Sequence, residues 1–91
     1  MSQISAQVSL YPLGEADLAP AIGIVLNILN EHDLTYQMGS MSTVVWGKDR
    51  IVFKALREAF VQVTRNRRAV MTITVSNACP LPAQPAAGDD S

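Results

Sequence analysis

The side chains best suited to proton transfer or nucleophilic attack are one histidine and one cysteine, His32 and Cys79. His32 stands between Glu31 and Asp33 at the end of a helical stretch, where an imidazole is a solvated cap favoured by the helix dipole. Cys79 precedes Pro80 at a strand end, and no Cys–His spacing supports a nucleophile, so it reads as a structural thiol. A metal centre needs several converging ligands, which one His and one distant Cys do not provide. Arg65, Arg67 and Arg68 cluster at a turn and read as a solvated edge, with a phosphate contact as the functional alternative. Acid, base and nucleophile do not converge, so the sequence shows no enzyme active site.

What remains is recognition by uncharged polar groups and aromatic rings, and the elements that carry them decide where they lie. Residues 4–12 alternate between Ser5, Gln7, Ser9 and Tyr11 on one side and Ala6, Val8 and Leu10 on the other, the period of a strand. Pro12 and Gly14 end it. Asp17 is a natural N-cap and Pro20 suits a first helical turn. Leu18, Ile22, Val25, Leu26 and Leu29 then recur at helical spacing, predicting one apolar stripe that closes at Asn30–Asp33. Leu34–Met38 and Met41–Trp46 read as strands joined by a tight turn at Gly39-Ser40. Gly47-Lys48-Asp49 breaks the pattern, and Asp49 can cap a second helix with Val52, Phe53, Leu56, Phe60 and Val63 on one face and a stop at Asn66. Residues 69–78 alternate again as a last strand.

The order βαββαβ predicts an α+β, ferredoxin-like domain over residues 1–80: a four-stranded antiparallel sheet with two helices on one face. Residues 81–91 are rich in proline and alanine without periodicity and read as a disordered tail. The bulk numbers agree with one small domain. At 91 residues the chain buries a modest core and is marginal alone, and a lone cysteine allows no internal disulfide. The first residues, with neither a basic nor an apolar region of leader type, and the absence of a long apolar run predict a cytoplasmic chain with no membrane insertion. A net charge of -1 argues against nucleic-acid binding. The βαββαβ order also describes RNA-recognition domains, but Met41–Gly47 lacks their basic, glycine and paired aromatic pattern.

The charges are informative by where they are missing. Lys and Arg number 7 and Asp and Glu 8, and none of these falls in residues 3–11, 34–47 or 69–79. Two helices cover one sheet face, so the other face is expected to meet water and carry charge. Instead it carries Ser5, Gln7, Ser9 and Tyr11, together with Val70, Thr72, Thr74 and Ser76 if Met71, Ile73 and Val75 point at the helices. The third strand is ambiguous, with Met41, Thr43 and Val45 as one set and Ser42, Val44 and Trp46 as the other. Ser and Thr are also ordinary solvent-facing strand residues. A face free of charge with aromatic rings nevertheless suits a covered surface, because interface cores are depleted in charge and enriched in Tyr and Trp. Gln7, Trp46, Thr72, Thr74 and Asn77 are its candidate ligand contacts.

Three stretches, Ser9-Leu10-Tyr11-Pro12-Leu13, Met41 to Gly47, and Val70-Met71 through Ser76-Asn77-Ala78-Cys79-Pro80, resemble in order and placement the YkoF-like proteins that bind thiamine and hydroxymethylpyrimidine. The resemblance spans roughly residues 4–80, and the proteins it points to are related to the broader thiamine-binding family of small βαββαβ proteins. It implies a ferredoxin-like domain whose open sheet face packs on another such domain, with a pocket for the vitamin or its pyrimidine beside the sheet. YkoF-like proteins resemble two such domains fused, so this chain would take its other half from a second copy, as a dimer or tetramer. By the resemblance Ser9, Tyr11, Ser42, Thr43, Ser76 and Cys79 are pocket candidates. Many relatives carry a glutamate where this chain has Trp46. The expectation is a non-enzymatic binder of thiamine or hydroxymethylpyrimidine in salvage or uptake, needing no other cofactor. The alternative is a regulatory or assembly module resembling an ACT domain, in which sheet pairing is the function.

Overall fold

A computed structural model describes residues 3–14, 17–39 and 42–78. The proposed tail and Cys79 lie outside the described residues. The elements are β1 (Gln3–Pro12), α1 (Ala19–Glu31), β2 (Thr35–Met38), β3 (Thr43–Lys48), α2 (Asp49–Val63) and β4 (Ala69–Ser76). They form one antiparallel sheet in the order β2-β3-β1-β4, so the fold is the expected ferredoxin-like βαββαβ. The alternation in β1 works as read: Ile4, Ala6, Val8 and Leu10 are buried against the helices with Val45 of β3.

Several local expectations are corrected. The β3 strand does not break at Gly47 but runs to Lys48, so one charge does lie on a strand, at its end. Gly47 permits this, because it lies opposite Ile4 on the helix side, where a Cβ would stand 2.5 Å from Leu34 Cδ2. Helix α1 is apolar nearly all round, so its sequence did not define one stripe. Ala21, Val25, Ile28 and Leu29 are buried, whereas Leu18 precedes the helix and is exposed. Asp17 acts one residue earlier than a standard cap, its Oδ1 accepting the Ala19 N–H at 3.0 Å. In α2 the buried seam is Val52, Ala55, Leu56, Ala59 and Val63. The two alanines let the helix approach closely, and Phe53 and Phe60 are displaced to its flank, 50% and 38% exposed.

Helix α2 packs against α1, β3 and β1, and α1 packs against β2. β4 gets little cover from either helix. Met71, Ile73 and Val75 do point to the helix side, paired with Leu10, Val8 and Ala6, yet Ile73 and Val75 stay 40% and 42% exposed. The space between β4 and α2 is a shallow apolar depression of about 350 Å³, lined by Phe53, Leu56, Arg57, Phe60, Met71 and Ile73.

Two details close the helical layer. His32 ends α1, and its Nε2 lies 3.2 Å from Glu58 Oε1 on α2, so it joins the helices rather than standing in solvent. Asp33 follows in the left-handed region at φ 56°, while the Asp33 and Leu34 N–H groups donate to Asn30 and Leu29 carbonyls. This is the usual way a helix satisfies its last carbonyls. Arg67 serves α2 similarly, its guanidinium donating to the Val63 carbonyl at 3.1 Å.

Candidate functional site

Antiparallel register places residues directly opposite one another on the same face. Thr35, Trp46, Ser5 and Ser76 therefore form one row across the open face. Gln37, Val44, Gln7 and Thr74 form the next. Ser9 with Thr72, and Tyr11 with Val70, complete it toward the far end of β1. The ambiguity of β3 is thus resolved: Trp46 and Val44 face outward, whereas Val45 is fully buried against the helices. Lys48, opposite Gln3, is the single charge in these rows and stands at the sheet's end.

The surface is polar, neutral and partly self-satisfied. Gln7 Nε2 donates to Ser42 Oγ at 3.3 Å, joining β1 to the start of β3. Ser5, only 6% exposed, sits between Trp46 and Ser76 and directs its hydroxyl at the Ser76 carbonyl, 3.5 Å away. The Ser76 hydroxyl accepts the Ala78 N–H at 2.9 Å, so it holds the exit of β4 while keeping a proton to donate. Gln7, Tyr11, Thr72 and Thr74 are exposed, and Ser9, Ser42, Trp46 and Ser76 are half-buried.

Of the candidates read from sequence, Gln7, Ser9, Tyr11, Trp46, Thr72, Thr74 and Ser76 share this face, with Ser42 bonded to it. Asn77 is exposed just past the end of β4. Thr43 is a correction: it lies opposite Val8 on the helix side and is buried, because β3 alternates with Val45 inward. Thr35, Gln37 and Val44 were not among the candidates. The alternation of Thr35 and Gln37 with Tyr36 and Met38 was the available signal, and β2 is short enough to have obscured it.

The aromatic rings are far apart. Trp46 is opposite Ser5, and Tyr11 lies six residues further along the same strand, which at ~3.4 Å per residue is about 20 Å. Among the described residues no cluster of three or more metal-ligating side chains occurs. The geometry offers hydrogen bonding and stacking on a neutral surface, and no helix among the described residues is long and apolar enough to cross a membrane.

Comparison with solved structures supports the fold. The hypothetical protein MJ1052 of Methanocaldococcus jannascii superposes with a TM-score of 0.80 at 24% identity, over 92% of this chain and 89% of that one. TM0486 of Thermotoga maritima, provisionally assigned to thiamine biosynthesis or salvage, gives 0.71 at 15% identity, over 80% and 81%. A de novo designed ferredoxin-fold protein gives 0.67 at 13% identity, over 92% and 91%. No curated protein matches the chain. A family model does, across residues 3–82, which takes in the whole βαββαβ unit and both aromatic ends of its open face. By that match the chain belongs to the YKOF-related family.

Proposed function

We propose that this protein is a non-enzymatic, cytoplasmic binder of thiamine or its hydroxymethylpyrimidine moiety, acting in salvage or uptake through the open sheet face at an interface between copies. The observation that carries the reading is the neutral face itself, where Trp46, Gln7, Thr74 and Ser76 occupy adjoining rows. Family membership and the likeness to TM0486 support a thiamine-related role. An aminopyrimidine presents donors and acceptors in one plane, which amides and hydroxyls can match while an aromatic ring stacks. The thiazolium cation of thiamine gains about 0.5–2 kcal/mol over an aromatic face.

Calorimetry with thiamine, hydroxymethylpyrimidine and the isolated thiazole alcohol tests the assignment. A site that hydrogen-bonds the pyrimidine binds the first two and discriminates against the third, since a missing ligand group leaves protein groups unpaired. Absence of heat with all three up to millimolar concentration refutes the ligand. The assembly reading would then take its place, with sheet pairing as the function in the manner of an ACT domain.

A further inference from the structure

The apolar groove between α2 and β4 lies on the helical side of the sheet, away from the open face, and α2 walls it without roofing it. Phe53 and Phe60 of α2 and Ile73 and Val75 of β4 all stay exposed there. The topology gives the groove a direction. β3 leads straight into α2 at Asp49, and β3 and β4 run parallel because both pair antiparallel with β1. Helix α2 therefore returns antiparallel to β4. Phe53 stands toward the end where β4 leaves the sheet at Ser76, and Phe60 toward the end where the turn carrying Arg65 and Arg68 enters β4. The described chain stops at Ala78, just past β4 and near the Phe53 end of the groove.

We propose that the segment after Ala78 turns back and docks in this groove of its own chain as a polyproline II strand. Pro82 and Pro85 then rest on the two phenylalanines, and Asp89 and Asp90 meet the arginines at the far end. The composition of residues 79–91, rich in proline and alanine, suits disorder in isolation and equally suits this conformation, whose stiffness lowers the entropy lost on docking in an aromatic-lined groove. The spacings agree. Polyproline II repeats every three residues at ~3.1 Å each, so Pro82 and Pro85 share a face about 9 Å apart. Phe53 and Phe60 lie on one flank of α2, about 10.5 Å apart at ~1.5 Å per residue. The lengths agree as well. With β4 rising ~3.3 Å per residue, a reversal just past Ala78 brings Pro82 about level with Val75 and Pro85 with Thr72. The same run, about 32 Å long, then brings Asp89 level with Arg68. The charges are complementary, since Asp89 and Asp90 are the only charged side chains in residues 79–91 and Arg57, Arg65 and Arg68 are exposed. Arg57 lines the groove and can donate to backbone carbonyls, which polyproline II leaves without internal partners. Tethering supplies an effective concentration on the order of millimolar, so weak contacts suffice. Most of the segment lies outside the family match, which ends at residue 82, and its docking is independent of the ligand reading.

The test uses the full chain with its single cysteine moved into the segment. Cys79→Ser combined with Gln84→Cys accepts one nitroxide spin label, and the isotope-labelled protein is diluted into excess unlabelled, label-free chain. Docking in cis should erase the NMR amide signals of Arg57, Phe60, Met71 and Ile73 while leaving those of α1 and β2 at full intensity. Loss confined to residues beside Ala78, or weak loss spread evenly over the surface, overturns the proposal. In the converse sample, isotope-labelled chain without a nitroxide is mixed with spin-labelled chain. Signal loss in the groove there, and not in the first sample, places the segment on another copy and overturns docking in cis. Two variants alter the segment alone and so leave the folded domain intact. Pro82→Gly with Pro85→Gly removes the stiff conformation, and Asp89→Lys with Asp90→Lys reverses the charge. Each should restore most of the lost intensity at Phe60 and Met71. Signal loss that survives both changes shows that neither the prolines nor the acidic pair holds the segment, and overturns the assignment.

Discussion

Replacing Gly47 with alanine probes how closely β3 is drawn onto the helical layer behind Trp46. A Cβ at this position would lie 2.5 Å from Leu34 Cδ2 and 3.3 Å from Val52 Cγ2. Carbon atoms in contact prefer roughly 3.5–4.0 Å, so Leu34 would have to retreat by about 1 Å. The Leu34 methyl is the end of a flexible side chain and can move. Val52 is β-branched, rigid about χ1 and fully buried, and cannot retreat in the same way. An over-packed core of this kind costs about 1–3 kcal/mol. For a domain of this size each kcal/mol lowers Tm by about 4–8 °C, so Gly47→Ala should melt about 5–20 °C below the parent. Urea unfolding followed by circular dichroism should show a lower midpoint with an unchanged slope. The double variant Gly47→Ala with Leu34→Ala should be more stable than the sum of the two single losses, because removing the leucine methyls frees the space the new Cβ needs. A Gly47→Ala protein within 0.5 kcal/mol of the parent would refute the close approach, and additivity in the double variant would show that Leu34 is not the group that yields.

Further expectations follow from other parts of the structure. Thr43→Val should leave ligand binding unchanged, since that side chain lies on the helix side, and a weakened titration would return Thr43 to the site. Asp33→Gly should raise stability by about 0.5–1 kcal/mol in chemical denaturation, because glycine adopts a left-handed backbone without a Cβ penalty. A loss there would mean that the Asp33 side chain holds something its backbone geometry does not reveal. Val44→Lys, which puts a charge at the centre of the open face, should halve the mass seen by light scattering while preserving the circular dichroism of the fold. An unchanged mass excludes pairing through that face.

The sheet was legible because β1 and β4 alternate, and the period of β1 showed which of its residues share a face. Trp46 could not be assigned from β3 by itself, since Thr43-Val44-Val45-Trp46 offers apolar residues on both sides. It took the pairing of Ser5 with Trp46 to decide it. Helix faces were less legible for a related reason. Large side chains were read as core in α2, but Ala55 and Ala59 occupy the tight seam and Phe53 and Phe60 do not fit there. In α1 nearly every residue is apolar, so only contact with the sheet distinguishes Ala21 and Ile28 from Leu18. The separation of Tyr11 and Trp46 was equally hidden. Both were legible as aromatic candidates, yet the distance between them follows from register rather than composition.

The strand order places β1 between β3 and β4, although β1 precedes both in the chain. Its partnership with β4 joins Ser5 to Ser76 and Pro12 to Ala69, contacts that close most of the length of the domain. During synthesis β1 is made well before the strand that completes it. Contacts of such long sequence separation form late and slow folding, since chain entropy is lost before they reward it. Until then β1 can pair with β3 on one side only, and its other edge is a neutral, β-prone edge of the kind that associates wrongly when exposed. The neutrality that suits β1 to a covered surface in the finished protein therefore makes it the segment most in need of prompt burial while the chain is still being made.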